Sequence, residues 1–253
     1  MRKRFTAIPA IVLALALCLA PGLASAADLT VSAAASLTDA FKTLKTAFEK
    51  AHPGTNIVTN FAASGALLRQ IENGAPVDIF ASADQKTMDQ AASKALIVPA
   101  TRVDFVQNSI VLVQPSDSKV AVKSMADLTK ADVKRIAIGN PATVPAGRYS
   151  TEGIALAKLT QALAPKLVPA ESVRQTLDYV TRGEVDAGFV FATDAKHAGA
   201  KVRLVQEVPT TTKVTYPIAV ISSSKNPEAK AFIAFVMSPE GQKILNAYGF
   251  KKP

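Results

Sequence analysis

The chain has no tryptophan, two histidines and a single cysteine, Cys18. Downstream of that cysteine neither a disulfide nor thiolate chemistry is available. His52 and His197 have no partner at metal-ligand spacing. There is no His-Glu-x-x-His, no Gly-x-Ser-x-Gly and no phosphate-binding loop, which leaves an enzyme the least favoured class. Both histidines read as surface residues. Aromatic residues make up only 6% of the chain, and none alternate with a basic run. The lysines are scattered, so nucleic-acid binding has little support.

One apolar run stands out, from about Ala7 to Leu23. Arg2, Lys3 and Arg4 precede it, Pro21-Gly22 breaks it, and Ala24-Ser25-Ala26 follows. This is the layout of a secretory signal peptide cut after about Ala26. The run is short for a retained membrane anchor. Leu17 before Cys18 does not suit a lipid-attachment site. Cys18 would then leave with the leader, and about 227 residues remain to build one large or two small lobes. The formal charge of +9 falls to +6 without the three leader cations. A mildly positive field favours approach of a small anion, and a soluble surface with spare lysines accounts for it equally well.

Strand and helix signals alternate. Residues 29–34 read as a buried strand. Leu37, Phe41, Leu44 and Phe48 recur at helical spacing up to Pro53-Gly54. Strands follow at 56–61 and 77–81, helices at 64–72 and 85–94, the pattern of a parallel sheet covered by helices. Residues 103–113 read as a strand pair or a crossing between lobes. A second series comprises strand 135–138, helices 149–161 and 171–181, and strands 187–191 and 202–208. Residues 213–221 form a long strand containing Pro217, which points to an edge or crossing segment. Helices at 227–237 and 239–247 close the chain. Two crossings imply two α/β lobes, residues 27–107 with 219–253 and residues 108–218, with a ligand cleft between them and a hinge that permits closure.

Four strand-to-helix junctions carry small or hydroxyl residues: Ala35-Ser36-Leu37-Thr38, Ala63-Ser64-Gly65-Ala66, Val144-Pro145-Ala146-Gly147 and Val190-Phe191-Ala192-Thr193. Such junctions lie on the ligand-binding side of a parallel α/β sheet. Helix starts present unpaired N–H groups and the positive end of the dipole, and small residues let an anion approach them. Taken singly each has an ordinary explanation. Ser36 with Asp39 fits a Ser-x-x-Asp cap, Ala146-Gly147 a loop before a helix, and Tyr216 an amphipathic edge residue.

Taken together, the segments AAASLTDAF (33–41), FAASGALLRQIENGAPVDIFASAD (61–84), GNPATVPAGRY (139–149), DAGFVFATDA (186–195) and VTYPIAV (214–220) resemble the periplasmic molybdate-binding proteins of ABC importers. The resemblance covers the whole mature chain. It implies a type II periplasmic binding fold with two Rossmann-like lobes, a periplasmic location, no cofactor and a membrane permease as partner; a hinged pair that must present both lobes to its transporter is expected to be a monomer. It also implies an oxyanion, molybdate or tungstate, held through its oxygens by the hydroxyls of Ser36 and Ser64, the amides of Ala146 and Val190, and the hydroxyl of Tyr216. The chain departs from some members at Gly65 and Ala66, where they carry more hydroxyls, and at Phe191, where they carry tyrosine.

The chemistry is coherent. Molybdate is a tetrahedral dianion that only accepts hydrogen bonds, and Ser, Tyr and backbone N–H groups can all donate. A site made only of donors leaves the proton of hydrogen phosphate unpaired. Sulfate differs by size alone, so cavity dimensions must reject it, whereas tungstate should bind like molybdate. Two charged residues stand close by: Asp39, expected to repel a dianion unless it turns back to cap its helix, and Arg148, expected to face solvent. A binding protein for sulfate, thiosulfate or an organic carboxylate is the alternative reading.

Overall fold

The computed structural model describes residues 28–253. The expected leader lies outside them. Ten strands form two five-stranded sheets. The first sheet contains β1 (Leu29–Ala34), β2 (Ile57–Ala62), β3 (Ile79–Ala81), β4 (Val103–Gln107) and β10 (Thr215–Val220). The second contains β5 (Ile110–Pro115), β6 (Ile136–Gly139), β7 (Leu167–Ala170), β8 (Ala187–Phe191) and β9 (Val202–Val208). The helices are α1 (Thr38–Ala51), α2 (Ser64–Glu72), α3 (Gln85–Ser93), α4 (Pro145–Leu156), α5 (Thr160–Leu163), α6 (Val173–Thr181), α7 (Ala192–Ala198), α8 (Glu228–Met237) and α9 (Pro239–Ala247).

The two sheets share one plan, β2-β1-β3-β10-β4 and β7-β6-β8-β5-β9. In each, three parallel strands come first, and the fourth position is taken by an antiparallel strand that arrives from the other lobe. Neither sheet is therefore purely parallel, as the alternating pattern alone suggested. The chain re-enters the first sheet by Thr215, ahead of the 218/219 boundary expected.

Pro217 is the clearest departure from local rules. β10 is an interior strand, not an edge. The pairing with β4 shifts register between Tyr216 and Pro217, and this irregularity accommodates a residue that has no N–H to offer the ladder. β7 was not expected from the sequence. It is a short edge strand containing Pro169, where a missing donor costs little. α4 begins four residues before the helix expected, because Pro145 takes its first position, where a proline loses nothing. It ends before Lys158, whose positive φ of 58° separates it from α5.

The apolar stripe of α1, Phe41, Leu44 and Phe48, is buried against α8 and the first sheet. Phe48 meets Phe232 edge-to-face at 5.2 Å. The main core runs continuously through both lobes. Phe105, Tyr216, Phe250 and Phe191 join it at the crossing strands. A smaller cluster of Leu67, Phe80 and Met88 fills the space beneath α2 and α3. Among the described residues no helix is long and apolar enough to cross a membrane.

Candidate functional site

Helix starts from both lobes converge on a small cavity of about 10 Å³, room for one water-sized sphere, at the seam between them. Ser36, Ser64, Ala146, Val173 and Phe191 bound it, with alanines filling much of the remaining wall. No charged side chain is among the bounding residues. What the cavity offers is therefore decided by hydroxyls and peptide groups.

The first lobe contributes the hydroxyls. Ser64 is the first residue of α2 and is fully buried. Its Oγ accepts the Ala83 N–H at 3.0 Å. With that lone pair engaged, its proton is free to point elsewhere. Ser36 lies in a 3-10 turn ahead of α1, and neither start of that segment has a side-chain cap. The Ser-x-x-Asp cap expected is therefore not made. Instead Ser36 Oγ lies 3.0 Å from the Tyr216 hydroxyl. Either hydroxyl can be the donor, and a neighbour bears on which. Asn108 Oδ1 accepts from the Ser109 N–H, so its Nδ2 must donate, to Tyr216 at 3.2 Å and to Thr193 Oγ1 at 2.9 Å. With Asn108 donating to it, Tyr216 can pass its own proton to Ser36, an arrangement that leaves the Ser36 proton for the cavity. Burial pushes the Tyr216 phenol well above its ordinary value, which keeps that proton in place.

The second lobe contributes peptide groups. Ala146 is the second residue of α4 and Val173 the first of α6, positions whose N–H groups have no acceptor within the helix. Ser172 caps α6 through Gln175 N–H at 3.1 Å and leaves the Val173 N–H unclaimed. Gly147 holds the start of α4 against β6. A Cβ there would stand 1.9 Å from the Gly139 carbonyl oxygen, so only glycine permits this approach.

The structure brings together Ser36, Ser64 and Ala146 as the sequence implied. Two expected members stand elsewhere. Val190 lies inside β8, paired with Val111, and does not bound the cavity; its neighbour Phe191 does. Tyr216 also lies outside the cavity wall, hydrogen-bonded to Ser36. Val173 was missed. Its only local signal was Ser172 before an apolar helical stripe, which reads as an ordinary cap.

The family model for bacterial extracellular solute-binding proteins matches residues 29–251. The chain belongs to this family. It is 41% identical over 234 residues to the molybdate-binding protein ModA of Escherichia coli K12, covering 90% of each chain. It is 40% identical to the solved substrate-binding domain of a putative molybdenum ABC transporter from Clostridium difficile, with a TM-score of 0.68 over 89% of this chain and 99% of that one. The sulfate-binding protein SubI of Mycobacterium tuberculosis shares the fold at 18% identity, with a TM-score of 0.79 over 89% of this chain and 86% of that one. The relatives are solute-binding proteins, not enzymes.

In this solute-binding protein the two charged residues flagged beside the site are both engaged. Asp39 does not cap its helix; its Oδ2 lies 2.8 Å from Arg174 Nη1 and 3.2 Å from His197 Nδ1. Arg148 does not face solvent; it pairs with Asp84 at 2.7 Å and is 17% exposed. Arg174 also stands 2.6 Å from the fully buried Asp194. Burial pushes the Asp194 carboxyl up to about 6, against the lowering pull of Arg174. His52 stacks on Phe48 and pairs with Glu228, a structural role far from the cavity.

Proposed function

We propose that the protein binds molybdate, and tungstate comparably, in the cavity between its lobes and delivers it to the membrane permease of an ABC importer. The carrying observation is the composition of the cavity wall: hydroxyls with protons to spare and helix-start amides, without one charged side chain. The likeness to molybdate-binding relatives over 90% of the chain supports the same ligand.

Ser36 Oγ, Ser64 Oγ, Ala146 N–H and Val173 N–H are the donors, and Tyr216 orients the first of them. Val173 replaces Val190 in this role. Hydrogen bonds to an ionised acceptor contribute about 1.5–3 kcal/mol each. Four such bonds sum to about 6–12 kcal/mol, so reaching the ~8 kcal/mol of micromolar binding requires bonds at the strong end of that range and a preorganised site with small ordering costs. Positive helix ends balance the charge without an ion pair. Hydrogen phosphate would bring a proton that no side-chain carboxylate on the wall can accept, and discrimination against sulfate rests on its smaller size. The protein acts as a monomer in the periplasm after loss of its leader near Ala26.

Calorimetric titration of the mature chain with molybdate, tungstate, sulfate and phosphate tests this. Tight binding of the first two and weak or no binding of the others is expected. Saturation by sulfate at molybdate-like concentrations would overturn the assignment in favour of a sulfate binder.

A further inference from the structure

Two arginines cross the seam, one on each side of the cavity, and neither bounds it. Arg148, on α4 of the second lobe, reaches Asp84 at the start of α3 in the first. Its Nε and Nη2 lie 2.8 and 2.7 Å from Asp84 Oδ2, and Nη2 donates to Thr87 Oγ1 at 2.7 Å. Arg174, on α6 of the second lobe, reaches Asp39 on α1 of the first at 2.8 Å, and His197 adds a contact to the same oxygen.

The two crossings share a plan but not a geometry: Arg148 hydrogen-bonds Asp84, whereas Arg174 meets Asp39 and Asp194 as charge contacts in which Asp39 Oδ2 and Arg174 Nε lack hydrogen-bond geometry. Each arginine sits on the helix whose start presents an amide to the cavity, close behind Ala146 in one case and directly behind Val173 in the other. Asp84 directly follows Ala83 of the opposite wall, and Asp39 lies three residues after Ser36 of that wall. Each guanidinium is also held by its own lobe, Arg148 by the carbonyls of Pro141 and Ala142 at 3.1 and 3.4 Å, Arg174 by Asp194. A preorganised guanidinium loses little freedom when its partner arrives. The side chains are 17% and 5% exposed in the first pair and 22% and 26% in the second, so water screens them less than surface pairs. Beside the first pair the backbones themselves touch. Gly65 N–H donates to the Thr143 carbonyl across the seam at 3.0 Å, where a Cβ on Gly65 would come within 2.8 Å of that oxygen.

We propose that Arg148–Asp84 and Arg174–Asp39 are closure latches that set the affinity and residence time of the anion without touching it. The inference rests on the oxyanion reading of the cavity. Contacts between residues of different lobes are made only when the lobes are together, and apparent affinity scales with the fraction of molecules in the binding-competent state. The latches act on that fraction. They hold whichever anion fits, so selectivity belongs to the wall and residence time to the latches.

The aspartates give the decisive test. Plain electrostatics says that removing a carboxylate beside a dianion site strengthens binding; the latch says the reverse. Asp84→Asn and Asp39→Asn keep the shape, and asparagine retains the capping ability of Asp84. Molybdate release from each variant is measured by stopped flow and affinity by calorimetry. Release about tenfold faster and affinity about tenfold weaker in each is expected, an ordinary size for coupling to a conformational equilibrium. The loss should be equal for molybdate and tungstate. Unchanged or tighter binding in both variants overturns the proposal.

A second measurement needs no anion. The mature chain has no cysteine. Val58→Cys on β2 and Leu204→Cys on β9, both exposed in opposite lobes, accept spin labels for a distance measurement. The closed fraction should fall in the double aspartate variant, and an identical distance distribution overturns the latches. If the unaltered protein binds no oxyanion, the proposed function fails, and the label distances still decide whether the latches hold the lobes together.

Discussion

The lobes share a sheet plan but equip the cavity differently. The first supplies hydroxyls, Ser36 and Ser64; the second supplies peptide N–H groups, at Ala146 and Val173. A peptide N–H is a donor by covalent structure, whatever its neighbours. A hydroxyl donates or accepts according to what surrounds it. The first lobe therefore carries machinery that the second lacks: Ala83 N–H occupies an oxygen lone pair of Ser64, and Asn108 through Tyr216 occupies one of Ser36. The second lobe instead spends its specification on backbone placement, through Pro145, Gly147 and the Ser172 cap. Side-chain truncation should thus damage the first half of the site and spare the second.

The harshest test of that contrast is Ser36→Ala combined with Ser64→Ala. Two bonds to an ionised acceptor disappear, so molybdate affinity should fall by about a thousandfold, read by calorimetry. Affinity retained within tenfold would mean that the hydroxyls are not the donors. Tyr216→Phe asks whether hydroxyl direction matters. Ser36 would lose the bond that leaves its proton for the cavity, and affinity should fall about tenfold while the ring keeps its edge-to-face packing with Phe105 and Phe250. An unaltered affinity there would reduce Tyr216 to a packing residue. The smallest effect belongs to the second lobe. Val173→Ala keeps the amide, so affinity should stay within about twofold although lost burial lowers stability by about 2 kcal/mol in urea unfolding. A large loss of affinity from that variant would erase the distinction between the lobes.

The elements were largely legible from the chain because each carries its own periodicity. β1, α2, β8, β9 and α9 have the expected bounds. The misses have local causes. Pro145 reads equally as a junction residue or as the first residue of a helix. β7 holds a proline and only four residues. Pro217 argues for an edge or a crossing segment; β10 is the crossing, and inside its sheet a register shift accommodates the proline. Of the residues expected at the site, those whose type carries the chemistry, Ser36 and Ser64, and Ala146 beside its proline and glycine, bound the cavity. Val173 also bounds the cavity and was not expected, because an amide donor leaves no mark on the side chain that encodes it; any residue at that helix start presents the same N–H. Arg148 and Asp39 were misjudged because their partners are distant in sequence, Asp84 in one case and Arg174 in the other.

By itself the amino-acid order determined the alternation of strands and helices, the two crossings and the poverty in nucleophiles and metal ligands. Those properties reside in residues close along the chain or in composition, and need no partner to be read. Tertiary structure alone decided which helix starts face the cavity, which way the Ser36 hydroxyl is turned, and that two arginines span the seam. Each of these depends on groups that meet only after both sheets are built and brought together, and the energy of such a contact depends on where folding places its second half.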